Sequence, residues 1–115
     1  MRSFISVCSM LFLIGAGVLA GTRAFPAVAH PSGAAIFKQR CAACHGVGGK
    51  GSPGLNAPDF TDPKWQASTT DKAMTAIIKL GKKGSAMPAF GNMMKEGEIT
   101  AVVAYLRSLN RSKKK

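Results

Sequence analysis

Cys41-Ala42-Ala43-Cys44-His45 decides how this chain is read. Two thiols three positions apart, followed at once by an imidazole, form the Cys-x-x-Cys-His pattern that attaches a c-type haem. The thiols can add across the two vinyl groups of one porphyrin, and the next residue is placed to bind the iron. Cys41 and Cys44 are therefore the expected covalent anchors, and His45 the first axial ligand. A histidine alone in a sequence is usually a surface or core residue, and its adjacency to Cys44 reverses that expectation. Nε2 is expected to face the iron, with Nδ1–H turned to a backbone carbonyl that fixes the ring.

Upstream of the motif, Pro31-Ser32 supplies a breaker and an N-cap, and Gly33, Ile36, Phe37 and Arg40-Cys41 recur at helical spacing. They predict a helix over about 33–44 that ends in the haem motif. Gly33 and Phe37 share a face, where a glycine lets a second helix cross closely. Downstream, Gly46 to Gly54 reads as a loop whose glycines let the backbone pass close to a porphyrin. It contains a literal G-x-G-x-x-G from Gly46 to Gly51, but a dinucleotide site needs a strand before that run and a helix after it. Here a helical motif precedes it and Pro53 follows.

Ala57-Pro58-Asp59-Phe60 and Asp62-Pro63-Lys64-Trp65 read as further turns, with Phe60 and Trp65 as the large apolar groups. Thr69 or Thr70 caps a helix that runs through Leu80, with Asp71 in its first turn and Gly81 as its stop. Lys82 to Gly91 is a second irregular stretch, interrupted by Pro88. A last helix over about 96–109 carries Ile99, Val102, Val103, Leu106 and Leu109 on one stripe with Tyr105 beside it. Glu96 and Glu98 near its start and Arg107 and Arg111 near its end match the helix dipole. No strand pattern and no internal repeat is visible. The expected class is all-α, with about three to four helices around one covalently attached haem.

The second axial ligand must come from across the haem, from Met74, Met87, Met93, Met94 or His30. Met74 sits on an apolar helix stripe, where methionine is usually core filler. Met93 and Met94 could be packing residues, and His30 would lie at a mobile mature N-terminus. Met87 stands in a loop stiffened by Pro88, with small Ser85 and Ala86 allowing close approach, and is the expected ligand.

The chain has 115 residues, room for one domain, and a formal net charge of +11. Met1-Arg2-Ser3 precedes an uncharged run from Phe4 to Gly21, which reads as a secretory signal. Ala27-Val28-Ala29 offers a cleavage site before His30, and Val18-Leu19-Ala20 a second. Residues 1–29 are thus expected to be a signal peptide, 30–110 the functional domain and 111–115 a solvated basic tail. The alternative is an uncleaved anchor, since the apolar run is just long enough to span a bilayer. Cys8 falls inside this segment. The product would be exported, periplasmic and soluble, or membrane-held if the segment stays. A core this small is marginal without a staple, which thioethers and an axial bond would supply. The basic charge steers toward acidic partners or an anionic membrane surface, and export argues against nucleic acid.

Phe37-x-x-x-Cys41-x-x-Cys44-His45, then Met87-Pro88-x-Phe90, then Val103-Ala104-Tyr105-Leu106-Arg107-Ser108-Leu109 together resemble the class I monohaem cytochromes c of the small bacterial type. The resemblance covers residues 30–110 and implies a helical fold in which first and last helices cross near Gly33, Phe37 and Tyr105. The haem would lie in a crevice between His45 and Met87. It also implies a proline whose carbonyl accepts from the ligand histidine, with Pro58 the nearest match and Pro53 a rival. Phe37, Pro58, Phe60, Trp65 and Pro88 are the candidate pocket residues. Lys95 departs from the family, standing where a Ser or Thr N-cap is common, and with Gly97 predicts a frayed helix start.

The function expected is one-electron transfer by a monomeric carrier, not an enzyme, with Lys38, Lys50, Lys79, Lys82 and Lys83 as candidates to meet acidic redox partners. One alternative is a catalytic or gas-binding haem protein with an open sixth position, for which no distal His or Arg is in evidence. Another is a membrane-held electron-transfer subunit. A thioredoxin-like thiol enzyme would need a βαβ context, and zinc a fourth ligand and wider spacing.

Overall fold

The computed structural model describes residues 31–111. The expected signal segment with both cleavage positions, His30, and the tail from Ser112 lie outside the described residues. Within them the regular elements are α1 (Gly33–Arg40), α2 (Ala42–His45), α3 (Pro63–Ser68), α4 (Asp71–Leu80) and α5 (Glu96–Ser108), with a 3₁₀ turn at Pro53–Leu55. Extended pairing among the described residues is limited to one isolated bridge between Ser52 and Ala57.

The frame is the crossing of α1 on α5. Ser32 caps α1 by accepting from the Ala35 N–H at 3.2 Å, which starts the helix where the sequence predicts. At its first residue, Gly33, an added Cβ would lie 2.0 Å from the Ala101 carbonyl oxygen and 3.0 Å from the Tyr105 Cβ. Only glycine permits that approach. One turn on, Phe37 is 1 % exposed and packs on Tyr105 at 5.3 Å and on Phe60 at 6.3 Å between ring centroids. Burying such a ring contributes about 1.5–3 kcal/mol. Ile99, Val102, Val103 and Leu106 complete the stripe of α5, and Met74 and Ile78 of α4 close the core.

Three local expectations are revised. The helix expected over 33–44 is interrupted at Cys41, so α2 is a separate single turn. Asp62-Pro63-Lys64-Trp65, expected as a turn, opens α3: Asp62 caps it by accepting from Lys64 N–H at 3.0 Å, and proline fits the first helical position. The start of α5 does not fray. Glu98 accepts the Lys95 N–H at 2.8 Å, and Glu96 pairs with Lys79 at 2.6 Å, so carboxylates supply what the N-cap lysine cannot.

The end of α4 follows the sequence. Thr70 accepts from Ala73 N–H at 3.1 Å, and Gly81, at φ +73°, caps the C-terminus. Beyond α5, the Arg111 N–H donates to the Thr61 carbonyl at 3.2 Å, and its guanidinium lies 3.9 Å from Asp59. The first residue of the expected tail is thus tied back onto the 59–61 turn.

Candidate functional site

The interruption at Cys41 shapes the first wall of a cleft. Cys41, stretched to φ −117° within the right-handed helical region, accepts at its carbonyl from both Cys44 N–H at 3.2 Å and His45 N–H at 2.9 Å. The two thiols and the imidazole therefore hang from one tight turn. Cys41 and Cys44 are not bonded to one another. Burial pushes the Cys41 thiol up, with Arg40 offsetting part of the shift and Cys44 adding to it.

His45 is half-buried, and its ring lies 4.8 Å from that of Phe60 at 30° between planes. Burial pulls its pKa below 6.5, leaving the imidazole neutral with a lone pair to offer. Nδ1 is buried with no hydrogen-bond partner among the described residues, so Nε2 is the nitrogen open to the cleft. The carbonyl bond that the family resemblance implies for Nδ1 is accordingly not formed. Of the two rival prolines, Pro58 lines the cleft beside His45, whereas Pro53 does not.

The Gly-rich loop does not pass along the cleft as expected. Gly51, at φ +82°, lies so close to the 57–58 backbone that an added Cβ would sit 2.4 Å from the Ala57 carbonyl oxygen. Its N–H donates to the His45 carbonyl at 2.9 Å. The glycines thus fold the loop back behind His45, and Leu55 and Asn56 reach the cleft instead.

Met87 faces the cleft from a loop stitched by its own main chain. The Lys82 N–H donates to the Met87 carbonyl at 3.3 Å, and the Ser85 hydroxyl accepts the Met87 N–H at 3.2 Å while donating to the Lys82 carbonyl at 2.9 Å. An added Cβ on Gly81 would lie 2.9 Å from the Met87 carbonyl oxygen and 3.0 Å from Ala89 N. Phe90 N–H returns to the Ile78 carbonyl at 2.8 Å and closes the loop on α4.

The cleft encloses about 270 Å³, and a narrower apolar lobe of about 80 Å³ extends it past Phe60, Trp65 and Met74. His45, Pro58, Ile78, Lys82 and Met87 line both lobes and so mark their junction. Among the other methionines, Met74 reaches only the small lobe and Met94 only the large one, each within the core, and Met93 is 52 % exposed and lines neither. Of the candidate pocket residues, Pro58, Phe60, Trp65 and Pro88 line the cleft. Phe37 does not; it supports the cleft from behind through Phe60.

The candidate partner-facing lysines differ in their relation to the cleft. Lys82 and Lys83 line the mouth of the large lobe, together with Arg40, which the sequence did not single out. Lys38 and Lys50 do not reach it, and Lys79 is engaged with Glu96. Gln66 also escaped notice as a site residue. Gln66 is polar and 5 % exposed, behind the small lobe, and carries no sequence signal.

Two thiols, a neutral imidazole, a thioether and an apolar two-lobed cleft are the donor set and shape that a covalently held, axially ligated porphyrin needs. A family model described as cytochrome C oxidase, cbb3-type, subunit III matches residues 28–106. The chain belongs to this cytochrome c family. Membership carries a covalently bound haem c with its iron and a role in electron transport.

A cbb3-type cytochrome c oxidase subunit FixP of Bradyrhizobium diazoefficiens is 37 % identical over 81 residues, 70 % of this chain and 28 % of that protein. Subunit CcoP of Cereibacter sphaeroides is 35 % identical over 77 residues, 67 % of this chain and 26 % of its own length. The chain thus spans little more than a quarter of these curated relatives. Among solved structures, the KustC0563 c-type cytochrome superposes with a TM-score of 0.65 at 31 % identity, covering 70 % of this chain and 100 % of its own. Cytochrome c6 of the diatom Phaeodactylum tricornutum follows at 0.54 and 31 %, covering 70 % and 92 %. No described helix is long and apolar enough to cross a membrane. No group of three or more His, Cys, Asp or Glu side chains among the described residues could hold a metal ion.

Proposed function

We propose that this cytochrome c is a non-enzymatic one-electron transfer subunit of a membrane-held oxidase assembly. The observation that carries the electron-transfer reading is that Cys41, Cys44, His45 and Met87 line one cleft together. The subunit designation of the FixP and CcoP relatives supports an attached subunit over the freely diffusing carrier, and the uncharged run from Phe4 to Gly21 offers a means of attachment. The exported location expected from that run belongs to the same reading.

In this proposal Cys41 and Cys44 would hold the group by thioether bonds, and His45 Nε2 and the Met87 sulfur would bind its iron. Haem c supplies, when bound, an iron that cycles between Fe(III) and Fe(II). Met87, fixed by Ser85 and Lys82, fills the side of the cleft where a substrate would otherwise bind. Ile78, Met94 and Val102 exclude water from the cleft floor, and a soft thioether in an apolar setting favours the reduced state. Arg40, Lys82 and Lys83 give the mouth a positive rim that orients an acidic redox partner.

The test is expression of residues 1–115 with a haem-attachment system, followed by cell fractionation and spectroscopy. A far-red methionine-to-ferric-iron band, ferrous spectra unchanged by carbon monoxide, and recovery in the membrane fraction are expected. Ready carbon monoxide binding would move the protein to the catalytic or gas-binding class. Quantitative release as a soluble, processed product would return it to the diffusing carriers.

A further inference from the structure

We infer that Arg107 is a positioning residue for the apolar end of the haem cleft, closing the corner between α3 and α4 beside the small lobe and keeping water from it. This rests on haem occupying the cleft. All three guanidinium nitrogens are committed to that corner. Nε donates to Asp71 Oδ1 at 2.6 Å, Nη1 to the Gln66 carbonyl at 2.7 Å and to Gln66 Oε1 at 2.9 Å, and Nη2 to the Thr69 carbonyl. One residue of α5 thus holds the last turn of α3, its C-cap and the first residue of α4. The Gln66 amide carries the connection inward, its Nε2 donating to the Phe60 carbonyl at 2.7 Å and the Leu106 carbonyl at 2.8 Å.

The corner matters because of what it borders. Phe60, Met74, Ile78 and Leu106 line the small lobe from the core, whereas Trp65 and Thr69 line it from the corner and are only half-buried. The residues that Arg107 grips are therefore interleaved with those that wall the lobe: Trp65 precedes Gln66, and Thr69 belongs to both sets. Leu106, the neighbour of Arg107 in α5, lines the lobe as well. Without the guanidinium, the Gln66 and Thr69 carbonyls and Gln66 Oε1 lose a donor in part-buried surroundings, and water is the donor that replaces it. That water enters beside an apolar wall of the cleft. Water stabilises the extra positive charge of ferric iron better than an apolar wall does, so a wetter cleft has a lower potential.

The experiment uses the haem-loaded full chain and reads its midpoint potential beside the far-red band. Arg107→Lys keeps a positive charge in place, so the direct pull of that charge on the iron changes little, but one ammonium cannot serve acceptors spread over Gln66, Thr69 and Asp71. The expected result is a retained far-red band and a fall in potential. At fixed poise it shifts the ratio of oxidised to reduced protein about tenfold, which is about 59 mV for one electron. Ile36→Ala, which removes core volume outside the cleft, is the control at a matched loss of melting temperature and keeps the parent potential. An Arg107→Lys protein that melts early at the parent potential, as the control does, overturns the inference and leaves Arg107 a brace only. Should Arg107→Lys fail to mature, Asp71→Asn takes its place. Deleting a negative charge raises the potential by itself, whereas freeing the guanidinium lowers it, so a fall supports the inference and a rise or no change overturns it. Failure of the underlying reading is distinct, since the parent protein itself would then lack covalent haem.

Discussion

The two walls of the cleft are held by different kinds of force. On the His45 wall, buried side chains do the holding: Phe60, Phe37 and the Gln66–Arg107 bonds connect the imidazole to α1, α3 and α5. On the Met87 wall, the 82–87 loop is held by main-chain and hydroxyl hydrogen bonds in largely exposed surroundings. Burial is cooperative across the domain, whereas exposed hydrogen bonds open locally. The histidine should therefore leave its place only when the fold is lost, and the methionine before that.

The largest effect expected is on the frame both walls share. Gly33→Ala places a methyl group against the Ala101 carbonyl, 2.0 Å from its oxygen, and the two helices must part. A loss of about 2–3 kcal/mol is expected, with the far-red band and far-ultraviolet circular dichroism declining together in a denaturant titration. Gly81→Ala should separate them. Its φ of +73° and the Met87 carbonyl 2.9 Å from the added Cβ penalise the loop by about 1–2 kcal/mol. The band should then disappear in milder denaturant than the helix signal, and coincident transitions would refute the comparison.

Ser85→Ala removes one acceptor for the Met87 N–H in an exposed loop, worth about 0.5–1 kcal/mol. Faster carbon monoxide association with the ferrous protein, at an unchanged melting temperature, is the expected sign. The smallest effect is on the other wall. Two bonds from Thr61, the shorter at 2.6 Å, hold the Asp59 carboxyl below its ordinary value of 3.8, with Arg111 and Lys50 adding to the shift. A carboxyl with a lowered folded pKa contributes stability above 3.8 that is lost as the pH falls through the folded value. Asp59→Asn should flatten the acid limb of a stability profile by slightly lowering stability at neutral pH while leaving it nearly unchanged at pH values below the folded pKa.

What could be read from the sequence was local. The attachment motif, the caps Ser32 and Thr70, the stop at Gly81 and the crossing glycine at Gly33 each depend on neighbours within a turn or on a face of one helix. The start of α3 was equally local, since Asp62-Pro63 is a cap followed by a first-turn proline, but the short helix behind it lacks an apolar period. What stayed hidden was long-range. Gln66 meets Leu106 and Arg107, 40 and 41 positions on, and nothing in either segment announces the other. The same holds for Lys79, which periodicity leaves free and Glu96 engages. Haem attachment itself was legible because one turn contains the thiols and the imidazole, while the packing behind that imidazole draws on separate segments.

The charged rim has a consequence for that locally held wall. Lys82 and Lys83 are part of the very loop that positions Met87, and Lys82 contributes its N–H to the Met87 carbonyl. Under the docking proposed above, a redox partner that grips these lysines recognises the closed loop and not the opened one. Mass action then makes the partner a stabiliser of the methionine side, by about 2.7 kcal/mol at a concentration one hundred times its dissociation constant. The encounter that moves the electron would also be the moment at which the sixth position is most firmly shut, so exposure to oxygen or carbon monoxide would be a hazard of the waiting state alone.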